Sequence, residues 1–182
     1  MTELQRAKLM HLFRVYDASS NGYLERGDYE MVAHAVATEL GHALESAEHE
    51  VVTRAFLTQF ARVAAVADFS RDGRVAPDEW IDFFEIVLAD PQAFDSVVGA
   101  TLDMIFGMFD LDENAVLDRA ELARLRRALR VDAGDSVAVF EALDLDGDGT
   151  LSVDEVRAAI EQFFRSDDPG APGNGFFGPL AV

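Results

Sequence analysis

The sequence predicts an all-α protein of four helix–loop–helix units, and three observations predict it. Apolar residues recur at helical spacing through most of the chain. The helical runs are interrupted four times by a twelve-residue segment of one design, at Asp17–Asp28, Asp68–Glu79, Asp110–Glu121 and Asp144–Glu155. The 182 residues are long enough to bury about 70% of the surface that the unfolded chain exposes, so the units can share a core.

The first helix is expected from Thr2, an N-cap with Gln5 at the capping-box position, to about Tyr16, with Leu9, Leu12, Phe13 and Tyr16 on one face. It runs into the first loop, and the exit helix, about Gly27–Leu40, stops at Gly41. Ser46–Ala67 reads as a long helix with Val51, Val52, Ala55, Phe56, Gln59, Phe60 and Val63 at the 3.6 period. After the second loop, Pro77 sits in a first helical turn, and Trp80, Phe83, Phe84, Val87 and Leu88 form the buried stripe. Asp90-Pro91 ends that helix and divides residues 1–90 from 91–165. The second half repeats the plan. A helix carries Val97, Leu102, Met104, Ile105, Met108 and Phe109, another covers Arg119–Arg130, and a short one starts at Asp135 or Ser136 and carries Val139, Phe140 and Leu143. The last helix carries Val156, Ile160, Phe163 and Phe164 and closes before Asp168-Pro169. Residues 166–182 form a tail whose Phe176, Phe177 and Leu180 are costly to leave in water, so it is expected to dock.

The loops carry the chemistry. In DLDGDGTLSVDE, Asp144, Asp146, Asp148, Ser152 and Glu155 put oxygens at positions 1, 3, 5, 9 and 12, and Gly149 at position 6 permits a sharp turn. Thr150 adds its backbone carbonyl. A hard cation taking six to eight oxygens at roughly 2.3–2.6 Å needs that arrangement, and this is the EF-hand calcium loop. The second loop supplies Asp68, Ser70, Asp72, the carbonyl of Arg74 and Glu79, with Ala76 at position 9 leaving that place to water. The third supplies Asp110, Asp112, Asn114, the carbonyl of Val116, Asp118 and Glu121, but has Ala115 where glycine is expected. The first supplies Asp17, Ser19, Asn21, the carbonyl of Tyr23, Glu25 and Asp28. Its twelfth residue is one methylene shorter than Glu, which moves the site towards six ligands and Mg²⁺.

Four such loops, a long insertion between the first two, wide spacing in the middle and 14 phenylalanines resemble the sarcoplasmic calcium-binding proteins and calerythrin over about residues 1–165. The resemblance implies two EF-hand pairs packed into a compact globule that buffers Ca²⁺ and Mg²⁺. It also implies that the branched residues at position 8, Leu24, Val75, Leu117 and Leu151, bridge the loops in pairs.

The formal charge is −19, from 34 acids against 15 Lys and Arg, which argues against nucleic acid and anionic membranes as partners. Fourteen of the acids occupy loop ligand positions, so cations should relieve their repulsion and stabilise the fold. There is no cysteine, no run long enough to cross a membrane and no signal-peptide pattern at the start, so a cytoplasmic monomer is expected. No nucleophile–base pair or phosphate loop is visible, so no enzyme is expected. The arginines of Arg119–Arg130 are read as offsetting nearby carboxylates, and His11, His34, His42 and His49 as scattered packing residues. Two other functions stand beside the buffer: a sensor that grips a target helix through a surface such as Met104 and Met108, and a luciferin-binding or photoprotein-like carrier.

Overall fold

Helix starts follow from the side chains that cap them. The computed structural model describes residues 1–131 and 136–180. Thr2 accepts from the Gln5 N–H and Gln5 returns the bond to the Thr2 N–H, opening α1 (Glu3–Tyr16). Ser46 caps α3 (Ala47–Ala67), Asp118 caps α7 (Arg119–Ala128) and Ser152 caps α9 (Val153–Arg165). Each such cap is worth about 1 kcal/mol. Between them lie α2 (Arg26–Glu39), which ends at Gly41 with φ +80°, and α4 (Pro77–Ala89), with its proline in the first turn.

Asp90-Pro91 ends α4 without opening a linker. Asp90 caps α5 (Pro91–Phe94) at once, and α5 continues through a π-helical turn, Asp95–Gly99, into α6 (Ala100–Phe109). The short helix α8 spans Ser136–Leu143, and Asp135, the other expected start, lies outside the described residues. A 3₁₀ turn, Pro172–Gly175, belongs to the tail.

The loops meet in pairs. Leu24 and Val75 exchange backbone bonds of 2.9 and 2.8 Å. Val116–Leu117 (β1) pairs antiparallel with Leu151–Ser152 (β2), Leu117 facing Leu151. All four position-8 residues are fully buried, so each pair of loops is pinned to the core from beneath. That core is continuous through both halves. Phe84 of α4 stacks on Phe164 of α9 at 5.3 Å, and Arg124 and Arg127 of α7 reach the end of α2 through the Glu39 carbonyl and carboxylate. Trp80 lies buried, its indole N–H donating to the Leu9 carbonyl at 3.0 Å.

Two expectations are corrected. Val51 is not part of the α3 stripe: it is 61% exposed, because the buried face runs through Val52, Phe56 and Val63. The helix expected over Arg119–Arg130 stops at Ala128, with Leu129 as its cap and Arg130 turning to φ +57°.

The tail lies along α8 and α9. Phe176 is buried, and Phe177 packs edge-on against Phe163 at 4.7 Å. Arg126 of α7 is buried and donates to the Gly175 and Phe176 carbonyls. His11 of α1 bonds the Phe177 carbonyl at 2.7 Å, and the single lysine, Lys8, donates to the Ser166 carbonyl at 2.8 Å. Residues of both halves therefore hold the tail.

Candidate metal centres

All four loops repeat one backbone path. Position 4 takes a positive φ in each, at Ser20, Arg71, Glu113 and Gly147, and so does position 6, at Gly22 (+85°), Gly73 (+86°), Ala115 (+66°) and Gly149 (+86°). The first acid fixes that path by accepting backbone bonds from across the loop. Asp17 takes the N–H groups of Asn21 and Gly22, Asp68 those of Asp72 and Gly73, Asp110 those of Asn114 and Ala115, and Asp144 those of Gly147 and Gly149. All are 2.8–3.2 Å long.

The twelfth residue closes the ring. Glu79 accepts from Ser70 N and Ala76 N, and Glu121 from Leu111 N and Asp118 N. Glu155 accepts from Leu145 N and from both the N–H and hydroxyl of Ser152. Asp28 makes the same two ties despite its shorter side chain, to Ser19 N and Glu25 N at 2.9 Å each, and it does so fully buried.

Oxygens that share one Ca²⁺ can lie no more than about 5 Å apart. Carboxylates of Asp110, Asp112 and Glu121 meet this condition, and so do those of Asp144, Asp146 and Asp148, all within 4.8 Å of one another. These are the two such clusters among the described residues. In the first two loops Ser19 and Ser70 supply neutral oxygens at position 3, where the later loops have Asp112 and Asp146. Donors that are all oxygen, on a tightly turned loop, fit a hard divalent cation.

Some expected ligands face elsewhere. Glu155 stays with Leu145 and Ser152 and outside the Asp144 cluster. Asp118 caps α7, accepting from Ala120 and Glu121. Asp72 is engaged by Arg74 at 2.9 Å, and the Arg74 guanidinium lies 4.3 Å from the centre of the Tyr23 ring in the paired loop. The sequence reading gave Arg74 only a carbonyl role, although two side chains at position 7 of paired loops were the signal for this contact. The Arg74 hydrogen bond holds Asp72 below the usual carboxylate range, as bonds from Thr150 do for Asp148. Burial works in the opposite direction at Glu155, but bonds from Ser152, Leu145 and Asp146 outweigh it and lower that group too. These carboxylates stay ionised, as cation ligands must.

Residues 137–160, which hold the fourth loop and most of its flanking helices, match the EF-hand family model. The chain is 27% identical over 164 residues to calerythrin of Saccharopolyspora erythraea, covering 89% of this chain and 93% of calerythrin. The fold matches a sarcoplasmic calcium-binding protein from amphioxus with a TM-score of 0.78 at 16% identity, over 98% of both chains. It also matches a calcium-binding protein of Streptomyces coelicolor, described as a basis for prokaryotic calcium-mediated regulation, with a TM-score of 0.72 at 24% identity over 88% of this chain and 97% of that one.

Proposed function

From the premise that the chain is a calcium-binding EF-hand protein similar to calerythrin, built on the fold of a sarcoplasmic calcium-binding protein, we propose that it is a cytoplasmic Ca²⁺ buffer with four working sites. It has two EF-hand pairs, residues 1–90 and 91–165, and a tail, 166–182, docked through Phe176 and Phe177. The metal ligands are the loop oxygens named above, with Mg²⁺ competing chiefly at the Asp17–Asp28 site.

One observation carries the choice of buffer. A sensor must uncover apolar surface on filling, whereas here Phe176 is already buried and Arg126, itself buried, holds the tail by two carbonyls. Opening would break those two bonds to a buried guanidinium, each worth roughly 1.5–3 kcal/mol. Met104 and Met108 are half-buried against the core, which gives a target helix little to grip. The carrier reading has less support, since the cavity in the core measures about 70 Å³, against about 150 Å³ for a cavity that takes benzene.

The test is calorimetric titration of the metal-free protein with Ca²⁺, with and without millimolar Mg²⁺, while a hydrophobic dye reports exposed apolar surface. A buffer shows three or four sites, Mg²⁺ competition and dye binding that falls on filling. Dye binding that rises with micromolar Ca²⁺ overturns it in favour of a sensor.

A further inference from the structure

A groove of about 430 Å³ runs between α3 and the Asp95–Phe109 stretch, and no residue of the four loops lines it. Its volume lies in the range of small-molecule sites, roughly 300–1,000 Å³. Its apolar part includes Val51 and Val66, which stand 61% and 53% exposed, together with Phe83 and Met104. Val97, on the π-helical turn, forms part of the opposite wall, and such turns recur at functional sites.

The charge at this groove is the reverse of the molecule's. In a chain with 34 acids, no carboxylate lines it, while Arg54 and Arg62 do. The two lie two helical turns apart on one face of α3, with Thr58 between them. Neither makes an ion pair among the described residues, although Arg119, Arg127 and Arg157 all have carboxylate partners. The groove also continues inward: Gln59, Val63, Val97 and Thr101 line both it and the core cavity, and Gln59 Nε2 donates to Thr101 Oγ1 at 2.9 Å at the junction.

We propose that this groove binds a small anionic amphiphile, a carboxylate head on a medium-length apolar body. The head lies over Thr58 between Arg54 and Arg62, where charge-assisted hydrogen bonds are available, and the body crosses the groove towards Val97 and Met104, past Gln59. The floor is apolar and the charge sits on one rim, so the complementary ligand is charged at one end only. Continuity with the core favours a slender molecule over a peptide helix, which is too wide to enter the junction.

The test uses the full-length, Ca²⁺-loaded protein with decanoate below its micelle and calcium-soap limits, decanol as the neutral match, and ¹³C-methyl shifts of Met104 to locate binding. Decanoate should bind one to one and move the Met104 signal, and decanol should bind at least tenfold more weakly. The Arg54→Gln/Arg62→Gln variant should lose at least tenfold in decanoate affinity with its Ca²⁺ titration unchanged. Four results overturn the proposal: no decanoate binding, equal binding of decanol, undiminished binding in the double variant, or a Met104 signal that moves only with an acidic amphipathic peptide.

Discussion

Ala115 holds φ +66° where the other three loops place glycine at +85° to +86°. A left-handed alanine costs roughly 1–2 kcal/mol, and replacing it with glycine returns about 0.5–1 kcal/mol to the unfolded chain's entropy. Ala115→Gly should therefore raise the stability of the Ca²⁺-loaded protein by about 0.5–1 kcal/mol, read from thermal unfolding in excess Ca²⁺. Unchanged or reduced stability would mean that the loop carries no strain there. Arg74 is the opposite case, an internal cation that occupies Asp72 before any metal does. The pair is exposed and worth at most about 1 kcal/mol. Arg74→Gln should raise affinity at the second site about two- to fivefold, measurable by calorimetric Ca²⁺ titration of the variant beside the parent protein. Loop residues were legible in the sequence because oxygen ligands must fall at fixed spacing. The Arg74–Tyr23 contact was not, since it depends on how two loops 51 residues apart face each other.

Helices were legible to within a residue or two wherever a cap marked the start, as at Thr2, Ser46 and Pro77. The π-helical turn at Asp95–Gly99 left no such mark, because its residues also suit an ordinary helix. Val51 misled for a related reason: the 3.6 period locates a stripe but not its width. The tail was expected to dock on the strength of its phenylalanines, yet its fastening depends on Arg126, which was read with its neighbours as offsetting carboxylates. Gly173 shows how close the approach is, since a Cβ there would lie 2.1 Å from the Ala159 carbonyl oxygen of α9. Gly173→Ala should lift the tail from α9, and Phe176→Ala should leave it in place but cost about 3–5 kcal/mol. Urea unfolding would measure both. If each changes stability by less than about 0.5 kcal/mol, the tail is not a structural element.

At the scale of the molecule, metal and fold are one equilibrium. Fourteen carboxylates at ligand positions repel one another until cations arrive, and a site held at a hundred times its dissociation constant adds about 2.7 kcal/mol. For a chain of this size 1 kcal/mol is worth roughly 2–4 °C, so filling two sites should raise the melting temperature by at least about 10 °C. Scanning calorimetry in Ca²⁺ and in chelator tests this, and equal melting temperatures would break the linkage. The shared core, with Phe84 stacked on Phe164 and the tail held by both His11 and Arg126, ties the two halves together by packing. The central claim, that the protein takes up metal without opening, is tested most directly by following a hydrophobic dye through a Ca²⁺ titration. The account predicts three or four sites filling while dye fluorescence falls. Fluorescence that climbs as the sites fill would contradict it.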